Sequence, residues 1–340
     1  MNILLYLAIS KDYIVKESIQ SIQSFYAVSD DELIRDTMIV VYTDTPELYA
    51  SMENITTEFV SDVLYRDWIG PENYIYRAKI KALQHCLNKY GLATLFVDAD
   101  TMFIKSPVVI FRNIGKQYYY LNYMENDMKY KVESIDISNN EITRHFYKTI
   151  SSMQYIISEK KEYPITEDLI NWNSGVIGIS HQNMHVLDEV LVLSDKIWNI
   201  YNLRIAEQFA FSYVFQKYQV ISAEDTIFHY WFLKESRYLL EDYFGDSNYD
   251  KPSLHMNNII IKMIKKMKNY AKDYDTIFHV IVFLVNIKWG TANDFLNMDI
   301  QYEGFLRKMI FDLDYIDDIK KKLKRIFPKY IIDVEKLNYK

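Results

Sequence analysis

The sequence predicts an α/β fold with a mixed, largely parallel sheet, and three observations carry that expectation. Apolar runs of strand length recur along the first hundred residues. Helical patterns separate them, and polar or acidic residues gather where the runs end. In folds of this class ligands collect at the carboxyl ends of the strands. The first run covers residues 3–9, and a helical pattern follows through Ile14, Ser18, Ile19, Ile22 and Phe25. Residues 37–43, with Met-Ile-Val-Val-Tyr at their centre, read as a second strand that stops before Asp44. A third strand is expected at 59–65, a helix at 74–90 and a short buried strand at 95–97. Beyond a polar region at 125–164 come an apolar strand at 174–179 and helical patterns near 182–202 and 204–217.

Composition narrows the function classes. The chain has 340 residues, 25% of them charged, enough for one large domain plus an appendage or for two domains. Eight Gly and six Pro exclude collagen-like and disordered classes, and an aromatic share of 16% suits a large core or stacking surfaces. The lone Cys86 permits no disulfide framework and fits a reducing, cytoplasmic compartment. The opening Met1-Asn2-Ile3-Leu4-Leu5 lacks a basic region and reads as a first strand rather than a signal peptide. The longest apolar run, 277–287, contains His279 and is too short to span a bilayer. Residues 251–340 carry 17 Lys+Arg against 11 Asp+Glu, a net of +6, which leaves −13 for residues 1–250. That asymmetry and the linker-like stretch at 245–252 place a boundary there: a catalytic domain over 1–245 and a basic, mainly helical region over 246–340.

The strand at 95–97 runs into Asp98-Ala99-Asp100-Thr101. If the chain stays extended, residues i and i+2 share a face, so Asp98 and Asp100 aim together. Two converging carboxylates repel and resist desolvation unless a cation sits between them. A hard divalent ion meets that need. On the helix at 74–90, Ile80, Leu83 and Leu87 form an apolar row, while Arg77, Lys81, Gln84 and Asn88 fall on the polar face. Lys79 points inward, where an unpaired ammonium is costly. The alternative for Lys79 is a lysine snorkelling at the sheet edge.

Together these residues resemble the GT-A glycosyltransferases, most closely the retaining group that includes bacterial lipopolysaccharide galactosyltransferases and glycogenin. The resemblance covers about residues 1–235 and rests on Leu-Phe-Val-Asp-Ala-Asp-Thr (95–101), Trp-Asn-Ser-Gly-Val (172–176), Ala-Glu-Gln-Phe-Ala-Phe (206–211) and Ala-Ile-Ser-Lys-Asp-Tyr (8–13). The late His229-Tyr230-Trp231-Phe232-Leu233-Lys234 keeps only part of the group's His-x-x-Gly-x-x-Lys pattern. The resemblance implies a GT-A nucleotide-diphospho-sugar fold, a UDP-sugar donor and a glycan or lipid-linked glycan acceptor on a bacterial surface. It implies Mn²⁺, or Mg²⁺, held by Asp98 and Asp100 with His229 as third ligand. Manganese accepts a nitrogen in its shell, and the alternative for His229 is a hydrogen-bonded histidine among core aromatics. The donor side would comprise Ala8, Ile9, Tyr13 (stacked on uracil), Lys79 or Arg77, Asp98, Ala99, Ser174, Gly175 and Lys234. The spacing fits Lys81 as well. Lys234 would place a point charge near the β-phosphate. Gly175 would let the backbone approach the sugar; simple strand packing is its alternative.

Asn173 and Gln208 are the candidates beside the reacting carbon. Gln208 is a poor nucleophile, so retention implies front-side attack with these amides orienting sugar and acceptor. If the reaction inverts, Glu207 is the available general base. Two other readings stand beside this one. A phosphatase of the haloacid-dehalogenase type would use Asp98 as nucleophile, but it wants Asp-x-Asp-x-Thr, whereas Thr101 here follows Asp100 directly. A catalytically silent GT-A-like module would bind UDP without turnover. The basic amphipathic stretches 259–268 and 320–327 would suit an anionic membrane surface, or simply form a solvated helical face. An acidic chain without a recognised nucleic-acid motif argues against nucleic-acid binding.

Overall fold

The computed structural model describes residues 1–231 apart from 10, 53, 115, 117, 134–140, 154, 159 and 160. Lys234, the predicted boundary at 245/246 and the two basic amphipathic stretches lie outside these residues. Residues 1–229 belong to one compact unit. No helix among the described residues is long and apolar enough to cross a membrane.

The chain opens with β1 (Asn2–Ala8), α1 (Asp12–Val28), α2 (Asp31–Arg35) and β2 (Thr37–Thr43). Next come β3 (Ile55–Phe59), α3 (Asp62–Ile69), α4 (Arg77–Tyr90), β4 (Thr94–Val97) and β5 (Thr101–Phe103). The polar middle of the sequence holds α5 (Val108–Ile114), β6 (Tyr119–Leu121), β7 (Met124–Asp127), α6 (Met128–Glu133), α7 (Glu141–Met153), β8 (Tyr155–Ser158) and β9 (Lys161–Pro164). The described chain ends with β10 (Ile170–Trp172), β11 (Val176–Ile179), α8 (Val186–Tyr201), α9 (Ala206–Phe215), β12 (Val220–Ser222) and β13 (Ile227–His229).

The mixed α/β fold expected from the sequence is present. Seven strands pair in the order β12-β6-β11-β4-β1-β2-β3. All neighbours are parallel except β11, which runs antiparallel to both β4 and β6. Alternate residues of the central strands feed two cores. Leu4, Tyr6, Ala8, Leu95 and Val97 pack on one face with α1 residues, and Ile3, Leu5 and Phe96 on the other with α4 residues. From β1 the chain winds outward through β2 and β3, then returns to place β4 on the other side of β1. The carboxyl ends of β1 and β4 therefore border a topological switch point, where a crevice opens in such sheets. Ile9 and Asp98 stand at those two ends.

One expected element is displaced. The strand predicted at 59–65 is instead β3 at 55–59, and residues 62–69 are helical. Ile55-Thr56-Thr57 supplies the β-branched residues a strand favours. Ser61 then stops the extended chain, because its hydroxyl accepts the Leu64 N–H at 3.3 Å and caps α3. The helix predicted over 74–90 starts at Arg77, and the strand predicted at 174–179 starts at Val176.

The edge of the sheet is tied to α4 by charge. Glu58 on β3 accepts from Lys89 Nζ at 2.7 Å and from the Tyr90 hydroxyl. Burial pushes the Glu58 carboxyl up, but the Lys89 and Tyr90 hydrogen bonds outweigh it and hold the group below its usual range. A depressed carboxyl stabilises the fold above its unfolded pKa and loses that contribution as pH falls through the folded value. Acid titration of thermal stability should therefore show a loss below about pH 4 that Glu58→Gln flattens.

Candidate metal and donor site

Asp98 and Asp100 converge, but not along an extended strand. The chain bends at residues 99–100 between β4 and β5, which corrects the expected geometry. A line of hydroxyls sets the bend. Thr101 Oγ1 donates to the Asp98 carbonyl at 2.8 Å, Ser21 Oγ lies 2.9 Å from Thr101 Oγ1, and the Tyr6 hydroxyl lies 3.0 Å from Ser21. Ser24 Oγ accepts the Phe103 N–H at 2.8 Å. The buried serines of α1 thus pin β5 in place. Nothing in the local spacing around Asp98 advertised that row; its signal is the Ser18-Ser21-Ser24 repeat along α1.

His229 reaches the pair through sheet pairing. β13 runs antiparallel to β5 with His229 opposite Thr101, and Nε2 lies 3.1 Å from Asp100 Oδ1 and 3.9 Å from Asp98 Oδ2. One ligand atom from each of Asp98, Asp100 and His229 falls within 4.8 Å of the others. Two carboxylates and an imidazole gathered there form a donor set of the kind that holds a divalent ion. His229 is buried, and it owes its place to Gly175. A Cβ at position 175 would lie 2.1 Å from His229 Nδ1 and 2.3 Å from Cε1. What approaches this glycine in the structure is the histidine ring, which gives the residue a role neither of the two expected readings contained.

Lys79 does point inward, as its place on the helix required. Its Nζ lies 3.0 Å from Asp98 Oδ2, 3.1 Å from the Ser174 carbonyl and 3.6 Å from Glu207 Oε1. Burial pushes the ammonium down, but Asp98 and Glu207 outweigh it and raise the group above its ordinary value. Glu207 is itself enclosed. Ser174 Oγ donates to Oε1 at 3.0 Å, and the Tyr74 hydroxyl lies 3.0 Å from Oε2 while accepting the Glu207 N–H at 2.9 Å. Burial and the Glu207 charge push the Tyr74 hydroxyl up, so it stays a donor.

The remaining candidates separate into those near this centre and those elsewhere. Asn173 and Ser174 follow β10 and join it directly. Gln208 is buried on the first turn of α9, and Ser212 on the same helix accepts the Trp172 N–H at 2.8 Å, which holds α9 against β10. Ala8 and Ile9 end β1. Tyr13 is 37% exposed in the first turn of α1, with Lys11 Nζ 5.5 Å from its ring centroid. Arg77 is committed elsewhere: its Nε sits 2.9 Å from Asp195 on α8, and Nη1 donates to the carbonyls of Asp67 and Trp68. That guanidinium clamps α3 and α8 to α4. Of the two basic candidates, the structure brings Lys79 to the carboxylates.

Fold and side chains together define an α/β protein with two carboxylates and an imidazole, a candidate metal site, gathered at its topological switch point. No family profile matches the chain, and no curated protein matches it. Solved structures similar to it include mouse xyloside xylosyltransferase 1 in its apo form, at 11% identity and a TM-score of 0.38 over 65% of this chain and 84% of that one. Another is the galactosyltransferase LgtC in complex with donor and acceptor sugar analogues, at 10% identity and a TM-score of 0.40 over 65% and 73%. A third is the glycosyltransferase GlyE of Streptococcus pneumoniae TIGR4, at 10% identity and a TM-score of 0.38 over 74% and 51%. The site's own residues carry the functional reading that follows.

Proposed function

We propose that this chain is a metal-dependent glycosyltransferase that moves a hexose from a UDP-sugar to a bacterial surface glycan or its lipid-linked precursor, with retention of configuration. The observation that carries the reading is the convergence of Asp98, Asp100 and His229 at the switch point, beside the buried ammonium of Lys79. A divalent ion held there, Mn²⁺ or Mg²⁺, supplies Lewis-acid stabilisation for the charge that develops on the departing diphosphate. Lys79 orients Asp98, its Nζ 3.0 Å from Oδ2. Tyr13, Ala8 and Ile9 stand where β1 ends and form the side on which uracil would rest. Ser174 and Gly175 line the floor between the cation site and α9.

Retention draws support from Glu207. An inverting enzyme needs a base free to take a proton from the acceptor hydroxyl. Glu207 is the general base an inverting reaction would use, yet Ser174, Tyr74 and Lys79 already surround it. Gln208, its neighbour, is left to orient sugar and acceptor. Lys234 would add charge at the diphosphate. The basic stretches beyond residue 245 would hold the enzyme at the inner face of the membrane, in the cytoplasm, where a lipid-linked acceptor is met.

The test is UDP release from a panel of UDP-hexoses with Mn²⁺. The expected result is metal-dependent UDP release that Asp98→Asn lowers by about 10²-fold or more, the scale on which loss of one transition-state contact acts. Phosphate release from p-nitrophenyl phosphate without UDP release would establish the phosphatase reading instead. Metal-dependent UDP binding with no turnover of any UDP-hexose would indicate a silent binding module.

A further inference from the structure

Glu125 belongs neither to the cation's three ligands nor to the sheet, and the sequence pattern did not single it out. It is the extra residue of a β-bulge. Asn171 pairs with Asn126 and Trp172 with Met124 across the β10–β7 ribbon, so Glu125 falls between two paired positions. A bulge re-aims the side chain it carries. Here the carboxylate turns to the amides of the opposite strand. Oε2 accepts from Asn171 Nδ2 at 3.0 Å, Oε1 from Asn173 Nδ2 at 3.4 Å, and Lys131 Nζ lies 3.3 Å from Oε2.

The Asn173 amide is thereby fixed at both ends. With Nδ2 toward Glu125, its Oδ1 accepts the Gly175 N–H at 2.9 Å and faces His229 Nδ1 at 2.8 Å. Turning the amide over would set its NH₂ against the Gly175 N–H, donor against donor. An amide oxygen only accepts, so His229 Nδ1 carries a ring proton, and in the neutral ring Nε2 then holds the lone pair. That lone pair faces Asp98 Oδ2 and Asp100 Oδ1, which are acceptors as well. The hydrogen bond on one imidazole nitrogen decides what the other can ligate.

We propose that Glu125 and Asn173 are positioning residues: through the Asn173 amide they set His229 in its Nδ1–H tautomer and present Nε2 to the cation. The inference rests on the cation reading of Asp98, Asp100 and His229 given above. It assigns Asn173, expected beside the reacting carbon, to the support of the nitrogen ligand.

The test uses the full chain, ¹⁵N-labelled and metal-free, with histidine ring NMR at alkaline pH where the ring is neutral. The wild-type chain should show His229 protonated at Nδ1. In Asn173→Ala that signature should be lost, and Mn²⁺ affinity measured by electron paramagnetic resonance should fall about tenfold or more. Glu125→Ala should shift both in the same direction by less. The double variant Glu125→Gln with Asn173→Asp exchanges the charge between the positions and keeps every donor opposite an acceptor, so it should restore the tautomer. A role confined to packing would lower the melting temperature of the single variants and leave the tautomer unmoved. An Nε2–H ring in the wild-type chain would overturn the inference. So would a tautomer and an Mn²⁺ affinity both unchanged in a folded Asn173→Ala. An Nδ1–H ring in a wild-type chain that binds no Mn²⁺ would uphold the positioning and remove the cation reading alone.

Discussion

Gly175→Ala is expected to cost stability and metal affinity together. The added methyl carbon would lie 2.1 Å from His229 Nδ1, so the ring must leave its place. That ring is hydrogen-bonded to Asn173 through Nδ1, and its Nε2 lies 3.1 Å from Asp100, so it cannot swing aside without giving up its place at both. Overpacking of this kind destabilises by about 1–3 kcal/mol. Displacing the nitrogen ligand should weaken Mn²⁺ binding by about 10–100-fold, the range seen when a ligand loses its support. Gly178→Ala is the matched control. It stands on β11, three residues further along the chain and away from His229, where its Cβ would meet Tyr120 Cβ at 2.8 Å and Ile114 Cδ1 at 3.0 Å. Gly178→Ala should therefore lose stability and keep its metal affinity. Equal metal affinity in the Gly175 variant and the wild-type chain would show that His229 does not ligate.

The second large effect is expected of Lys79→Met. The substitution is close to isosteric and removes the one positive charge shown between Asp98 and Glu207 among the described residues. Breaking a buried ion pair from one side costs about 3–5 kcal/mol, because the remaining charge stays desolvated and unpaired. For a domain of this size that lowers the melting temperature by about 2–4 °C per kcal/mol. Thermal unfolding of the variant without ligand measures it. Lys81→Met, on the outer face of α4, should leave the melting temperature within about 1 °C, as surface changes do. A Lys79 variant as stable as the wild-type chain would mean that the two carboxylates are satisfied some other way.

How much of this was legible in the sequence depends on the range over which each feature is set. β2 was readable to the residue because Met38–Tyr42 is an apolar, β-branched run bounded by threonines. Lys79 was readable because a helix period of 3.6 fixes which residues face inward. The displaced β3 failed for a local reason: Ser61 and Asp62 mark a helix start as clearly as Phe59 and Val60 suggest a strand, and the cap prevailed. Asp98 and Asp100 were found by spacing, although the bend that joins them is set by serines about 80 residues away. Glu125 was out of reach altogether. Its direction follows from a bulge in a ribbon whose strands lie more than 40 residues apart, and no short-range pattern encodes that register. Gly175 stood out in its motif, but its purpose depended on a histidine 54 residues further on.

The most direct measurement is thermal unfolding with UDP and Mn²⁺ added together, for the wild-type chain and for Asp100→Ala. Ligand at about 100 times its dissociation constant stabilises by roughly 2.7 kcal/mol. The account requires a rise of several degrees in the wild-type chain that needs the metal and is absent in Asp100→Ala. No rise with UDP and Mn²⁺, or an equal rise in the variant, would contradict the site on which the account is built.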